Sequence, residues 1–189
     1  MSVLLCSEIL IAIYRFLPLL QNRLYMAKLY INKDIVADKD KMENWYLTGE
    51  EGLSFPDIQN FLSWIDPNDH VIDIEIHSCG GDAVEGYAIY DALRASGKQI
   101  SCTAVGRCAS MATVILLAAA KERRFAYPHA KFLIHKPYMA SYDGDLDLET
   151  LESIKSNLES EKNKMLALYV ERTGSEASVI EAQMNNCLL

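Results

Sequence analysis

Twice in this chain an alternating, β-branched stretch runs into a turn of small residues and then into an apolar segment with helical spacing. VIDIEIH at 71–77 alternates aliphatic and polar residues, as a strand with one buried face does, and passes directly into Ser78-Cys79-Gly80-Gly81. EGYAIYDALRAS follows and sets Tyr87, Ile89 and Leu93 at helical spacing. The unit recurs further on: QISCTAVG at 99–106 reads as a strand, Arg107-Cys108-Ala109 as a turn, and SMATVILLAAAKER as a helix buried on most sides. RRFAYP and KFLIH add two short strands, the second ending at His135. Strands alternating with helices predict an α/β domain with a mostly parallel sheet, because parallel neighbours need a crossover that a hairpin cannot supply. In such sheets the ligand site lies beyond the carboxyl ends of the strands, which singles out Gly80-Gly81, Ser110 and His135.

The flanking segments extend this domain. KLYINKDIV at 28–36 alternates and reads as a first strand, while Phe55-Pro56-Asp57 opens a short helix through Trp64 that Asp66-Pro67-Asn68-Asp69 closes. A long charged helix is expected from 147 to Arg172. It carries Leu148, Leu151, Ile154, Leu158, Met165 and Leu168 at three- to four-residue spacing, save for a polar gap at Glu161 and Lys162. That stripe has two readings, a cover for its own domain or a contact between subunits. Thr173-Gly174 stops the helix, and SVIEAQM begins another.

Residues 1–25 are apolar, but Glu8, Arg15 and Pro18 interrupt them, so they do not match the ~20 mostly apolar residues of a spanning helix. The first charge is the negative Glu8, where a signal peptide wants a positive start. A membrane role is therefore disfavoured. An accessory amphipathic extension, or translated sequence upstream of a start at Met26, are the remaining readings, with 26–189 as the domain.

The chain's 189 residues, half of them hydrophobic, suffice for one core without disulfides or metals. A net charge of -8 argues against nucleic acid as a partner. Five cysteines without CxxC spacing suit a reducing, cytoplasmic setting, and neither an HExxH segment nor a histidine cluster calls for a metal or cofactor.

Serine-based hydrolysis of a peptide bond needs a base within reach of the hydroxyl, a group that orients the base, and backbone donors for the oxyanion. Ser110 stands where a strand enters a helix, with small Ala109 and Ala112 beside it. Taken singly, Ser110 also reads as a helix N-cap, His135 as an ordinary strand-end histidine, and Gly80-Gly81 as a tight turn. Taken together, all three fall at one edge of one sheet.

These residues also carry a family resemblance. HSCGGDAVEGYAIYDALR followed by VGRCASMATVILLAAAKERRFAYPHAKFLIHKP resembles the proteolytic subunit of the Clp protease, ClpP, including its phage-type relatives. The likeness covers residues 28 to 187 and is most specific from Gly80 through Pro137. It implies the ClpP/crotonase-like fold, with repeated β-β-α units and a protruding handle helix. It implies Ser110 as nucleophile, His135 as general base, and the amides of Gly81 and Met111 as the oxyanion hole. It further implies heptameric rings stacked through the 147–172 helix, an ATP-driven unfoldase as partner and extended polypeptides as substrates. Phage head maturation and prophage biology are settings it brings with it.

The pattern departs from the family at two places. Cys79 stands where a proline is usual before the glycine pair. Aligning Thr173-Gly174 without gaps puts Cys187, not an aspartate, at the third triad position, which leaves two explanations: a C-terminus cut short, or a site that works without that carboxylate. In the second case Asn185 or Asn186 are candidates to orient His135. An inactive ring subunit that keeps the fold, and an acyl-CoA enzyme of the related crotonase fold, are the competing functions. The Ser110–His135 pair speaks against the latter.

Overall fold

The computed structural model describes residues 26–139, 142 and 144–185. Five strands form one sheet: β1 (Met26–Ile31), β2 (Val71–Ser78), β3 (Gln99–Ala109), β4 (Arg124–Ala126) and β5 (Lys131–Leu133). Their order is β1-β2-β3-β4, with β5 also on β3, and every pairing is parallel. The helices are α1 (Lys41–Thr48), α2 (Phe55–Trp64), α3 (Ala83–Ala95), α4 (Met111–Leu116), α5 (Leu148–Thr173) and α6 (Ala177–Asn185). This is the mixed α/β, parallel-sheet architecture that the alternating pattern predicts.

Alternation selects the buried face. Ile72, Ile74 and Ile76 of β2 and Cys102 and Ala104 of β3 are fully buried against Ile89 and Leu93 of α3 and Met111, Val114 and Ile115 of α4. The opposite face keeps Asp73 and Glu75, which Lys28 of β1 bridges at 3.4 and 3.1 Å.

Several boundaries differ from the sequence reading, each for a physical reason. The expected strand over 28–36 divides. β1 ends at Ile31, and Ile35 bridges both Leu53 and Gly81, so the apolar alternation persists while the hydrogen-bonding partner changes. Arg107-Cys108-Ala109 is not a turn but the end of β3: the small Cys108 and Ala109 fit a buried strand, and Arg107–Ala109 pair with Lys131–Leu133. The register of β2 shifts between Ile76 and Ser78. There the His77 ring lies over Gly106, its Nδ1 accepting the Arg107 N–H, where a Cβ on Gly106 would come within 2.2 Å of it.

The helix expected over 110–123 is six residues long. Its end tightens into i→i−3 bonds at Ala118 and Ala119, and the freed carbonyls of Leu117 and Ala119 accept from the Arg172 and Arg124 guanidinium groups. α1 had no counterpart in the sequence reading, and it buries no residue.

α5 spans about 39 Å at 1.5 Å per residue. Only Met165 and Tyr169, near its carboxyl end, are buried, while Leu148 is 81 % and Leu151 48 % exposed. Its amino-terminal half therefore projects from the domain. Among the described residues no helix is long and apolar enough to cross a membrane.

The start of α2 supplies a pH-dependent element. Ser54 and Asp57 form a reciprocal capping box, and Lys41 reaches Asp57 at 2.7 Å and Asp38 at 3.1 Å. Burial alone would raise the Asp57 carboxyl, but the Lys41 ammonium and the Ser54 donors outweigh it and hold it below its ordinary 3.8. A depressed carboxylate contributes stability above its unfolded pKa and loses it as pH falls through the folded value. Lys41→Met should thus cost about 1 kcal/mol at neutral pH, discounted for partial exposure, and the difference from the parent should vanish at pH ~2. Urea unfolding at both pH values checks this; a cost that persists in acid would exclude the ion pair as its source.

Candidate active site

Ser110 closes β3 and opens α4 with φ 52° and ψ −128°, and it alone among the described non-glycine residues has a positive φ. Such a backbone costs on the order of 1–3 kcal/mol and persists only where its surroundings impose it. Here the Ser110 N–H donates to the Leu133 carbonyl at 2.8 Å, continuing the β3–β5 ladder. Its own carbonyl accepts from the Thr113 N–H at 2.9 Å and the Thr113 hydroxyl at 2.6 Å. The result is a strand-to-helix corner that fixes the serine from both sides.

The glycine turn packs against this corner. Gly80, at φ 90°, lies so close that a Cβ there would meet Ala109 O at 2.6 Å and both Met111 N and Ser110 Cβ at 2.7 Å. Gly81 is held by Ile35, which donates its N–H to Gly80 O and accepts the Asp82 N–H, each at 2.8 Å. Those flanking bonds turn the Gly81 N–H away from Ile35, as alternation in a parallel bridge requires. The Met111 N–H is the first of a helix and has no partner within it. Ser78 completes the support by donating to Lys33 O and accepting from Gly80 N–H.

Cys79, exposed in place of the usual proline, accepts from the Arg107 guanidinium at 3.1 Å. Arg107, read from sequence as solvated charge or a substrate contact, is therefore tied to the glycine turn.

His135 follows β5 by two residues and is half-buried. Its Nδ1 lies 2.6 Å from the Lys136 carbonyl, and its ring is 5.4 Å from that of Tyr138. A carbonyl can only accept, so Nδ1 is the donor in this contact, and in the neutral ring Nε2 is the nitrogen that can accept a proton. No hydrogen bond joins the Ser110 hydroxyl to His135 among the described contacts; the two are connected through the backbone, from Ser110 N–H to Leu133 O and along β5.

Thus Ser110, Met111, Gly80 and Gly81 are brought together, and His135 hangs from the adjoining strand. Asn185 is an exposed residue at the end of α6 and makes no hydrogen bond to His135 among the described contacts. Asn186 and Cys187 lie outside the described residues, as does the 1–25 extension. A groove of about 440 Å³ borders the histidine segment, between Lys136-Pro137 and the α5 residues Leu151, Ile154 and Leu158.

Sequence reasoning missed three supporting groups: the Lys136 carbonyl, Thr113, and Tyr169, whose phenol oxygen lies 2.5 Å from the Thr113 hydroxyl. The one advance signal was Thr113 itself, a polar residue inside the apolar run MATVILL, three positions after the serine.

A family model described as Clp protease matches residues 57–187. The ATP-dependent Clp protease proteolytic subunit 1 of Chlamydia muridarum is 33% identical over 125 residues, 64% of this chain and 62% of its own length. The corresponding subunit 1 of Protochlamydia amoebophila is 30% identical over 125 residues, 64% of this chain and 58% of its own. The ATP-dependent Clp protease proteolytic subunit of Porphyromonas gingivalis is 37% identical over 128 residues, 66% of this chain and 55% of its own. The chain thus spans less than two thirds of the length of these curated relatives. The match runs through both corners of the sheet and the whole of α5, and the chain belongs to the Clp protease family.

Proposed function

We propose that this chain is a ClpP-type serine endopeptidase subunit, and the observation that carries the reading is the strained Ser110 corner packed on the glycine turn. In this mechanism the Ser110 hydroxyl attacks the scissile carbonyl while His135 Nε2 takes its proton. The new oxyanion is received by the amides of Gly81 and Met111. α4 is only six residues long, so local amides rather than a helix dipole supply this stabilisation. His135 then returns the proton to the leaving amine, and water repeats the sequence on the acyl-enzyme.

The Lys136 carbonyl occupies the electronic role of an orienting acceptor, holding the proton on Nδ1 so that Nε2 faces its task as a base. A carbonyl carries no formal negative charge, so this contact orients the ring without providing the imidazolium stabilisation that a carboxylate supplies.

Substrate is an extended polypeptide, held by main-chain hydrogen bonds beside the segment that follows β5, with Pro137, Leu151, Ile154 and Leu158 as an apolar wall. The projecting half of α5, with Leu148 exposed, is the element by which rings of subunits stack, heptameric as in the family. An ATP-driven unfoldase feeds the enclosed sites, in a cytoplasmic setting; the free thiols of Cys79, Cys102 and Cys108 are compatible with that compartment.

The test is treatment of the full chain with a fluorophosphonate, followed by mass spectrometry of its peptides beside Ser110→Ala. A single adduct on the peptide holding Ser110, absent from the variant, is the expected result. No adduct, or one unaffected by the substitution, would overturn the peptidase reading and leave a structural ring subunit.

A further inference from the structure

The Ser110 carbonyl and the Met111 N–H belong to one planar peptide unit, so whatever fixes the carbonyl on one side aims the N–H on the other. The carbonyl is fixed by Thr113, whose hydroxyl donates to it at 2.6 Å. That hydroxyl also lies 2.5 Å from the phenol oxygen of Tyr169, on α5 and 56 positions away. Thr113 has one hydroxyl proton, and it is committed to the Ser110 carbonyl. The Tyr169 hydroxyl must therefore be the donor in the second bond, and the relay runs from Tyr169 O–H to Thr113 Oγ1–H to Ser110 C=O.

Both side chains are nearly inaccessible, at 4% exposure each, so water does not compete for either bond. Burial pushes the Tyr169 phenol upward, which keeps its proton in place as a donor. The same end of α5 holds α4 at its other terminus as well. Arg172, three residues after Tyr169, donates from Nε to Leu117 O and from Nη2 to Ala119 O, each at 3.0 Å. α4 is thus gripped at both ends by the last turns of α5.

We infer that Tyr169 and Thr113 are positioning residues for the serine corner: their hydroxyl relay sets the Ser110–Met111 peptide plane and so aims the Met111 N–H as an oxyanion donor. Neither touches substrate. Their action is on the transition state, since a misaimed donor weakens the oxyanion's reception without altering how the substrate chain binds. This inference rests on Ser110 being the nucleophile.

Tyr169→Phe keeps the ring and removes the hydroxyl that donates to Thr113. Thr113→Val is close to isosteric and removes both bonds, and Thr113→Ser retains the hydroxyl. The experiment measures fluorophosphonate inactivation over a concentration series, separating the maximal rate from the apparent affinity. Thr113→Val should lower the maximal rate by about 10-fold or more, and Tyr169→Phe by ~3–10-fold, with apparent affinity unchanged. The double variant should react no more slowly than Thr113→Val alone, and Thr113→Ser should stay within about 2-fold of the parent. A parent chain that reacts at Ser110, together with Thr113→Val and Tyr169→Phe variants that react equally fast, would overturn the relay alone. A parent chain that forms no adduct removes the nucleophile reading and this inference with it. A Thr113→Ser variant as slow as Thr113→Val would show that the methyl group, not the hydroxyl, matters, and would also overturn the relay.

Discussion

His135→Ala should lower the rate at which Ser110 reacts with a fluorophosphonate by about 10³-fold or more, while the unfolding midpoint in urea moves little. A serine hydroxyl is a weak nucleophile unless a base removes its proton as the bond forms, and removing the base from a serine hydrolase leaves only the contribution of binding and the oxyanion hole. In this chain His135 lies two residues past the strand whose Leu133 carbonyl accepts the Ser110 N–H. Its structural commitments are slight: it is half-buried, with one hydrogen bond to its neighbour's carbonyl and one edge of contact with Tyr138. A large kinetic loss with a small stability loss is therefore the signature of a base. Parity with the parent would mean that the two residues do not close on each other in solution, since the structure holds them together only through the backbone of β5.

Much of this was legible in advance, and what was not has a common cause. β2, β3 and α3 are marked by local patterns, because each element's burial follows from spacing along its own segment. Gly80-Gly81 and Ser110 were located for the same reason: each ends a strand, and strand ends in a parallel sheet meet along one edge. The errors arise where a partner distant in sequence decides. α4 stops at Leu116 because guanidinium groups from Arg124 and Arg172 take the carbonyls that follow, and no local signal announces that. Arg107-Cys108-Ala109 looks like a turn because its residues are small or polar, but β5 supplies a pairing partner that holds it extended.

The site shows the same division. Residue types predict a nucleophile and a base, whereas the group that accepts from His135 Nδ1 is a backbone carbonyl that any residue at 136 would provide. Thr113 and Tyr169 meet across 56 positions, so their bond is visible only once α5 is docked. The resemblance implies a side chain at the third triad position, Cys187, outside the described residues, whereas the described partner of His135 Nδ1 is main chain.

Gly80→Ala is expected to damage the site while sparing Ser110 and His135 themselves. At φ 90° an alanine is strained by roughly 1–2 kcal/mol, a modest cost to the whole domain. The local consequence is larger, because the new Cβ would stand 2.6 Å from Ala109 O and 2.7 Å from Met111 N and Ser110 Cβ. Two of these are backbone atoms, which cannot swing aside as a flexible side chain would. The neighbouring side holds firm as well: Gly80 O is bonded to Ile35 N–H and Gly80 N–H to Ser78 Oγ, so the glycine turn cannot simply retreat. The serine corner must therefore yield, and with it the direction of the Met111 N–H. Loss of one oxyanion donor costs about 10²–10³ in rate, and displacement of the nucleophile adds to it, so phosphonylation of Ser110 should fall at least 100-fold. Gly49→Ala is the control, since Gly49 has a similar φ of 80° but open space around its would-be Cβ; it should share the strain and keep the reactivity. If the two variants lose reactivity equally, general destabilisation and not the contact between the glycine turn and the serine corner would account for the effect. If only Gly80→Ala does, the corner's packing on that turn is what makes Ser110 reactive.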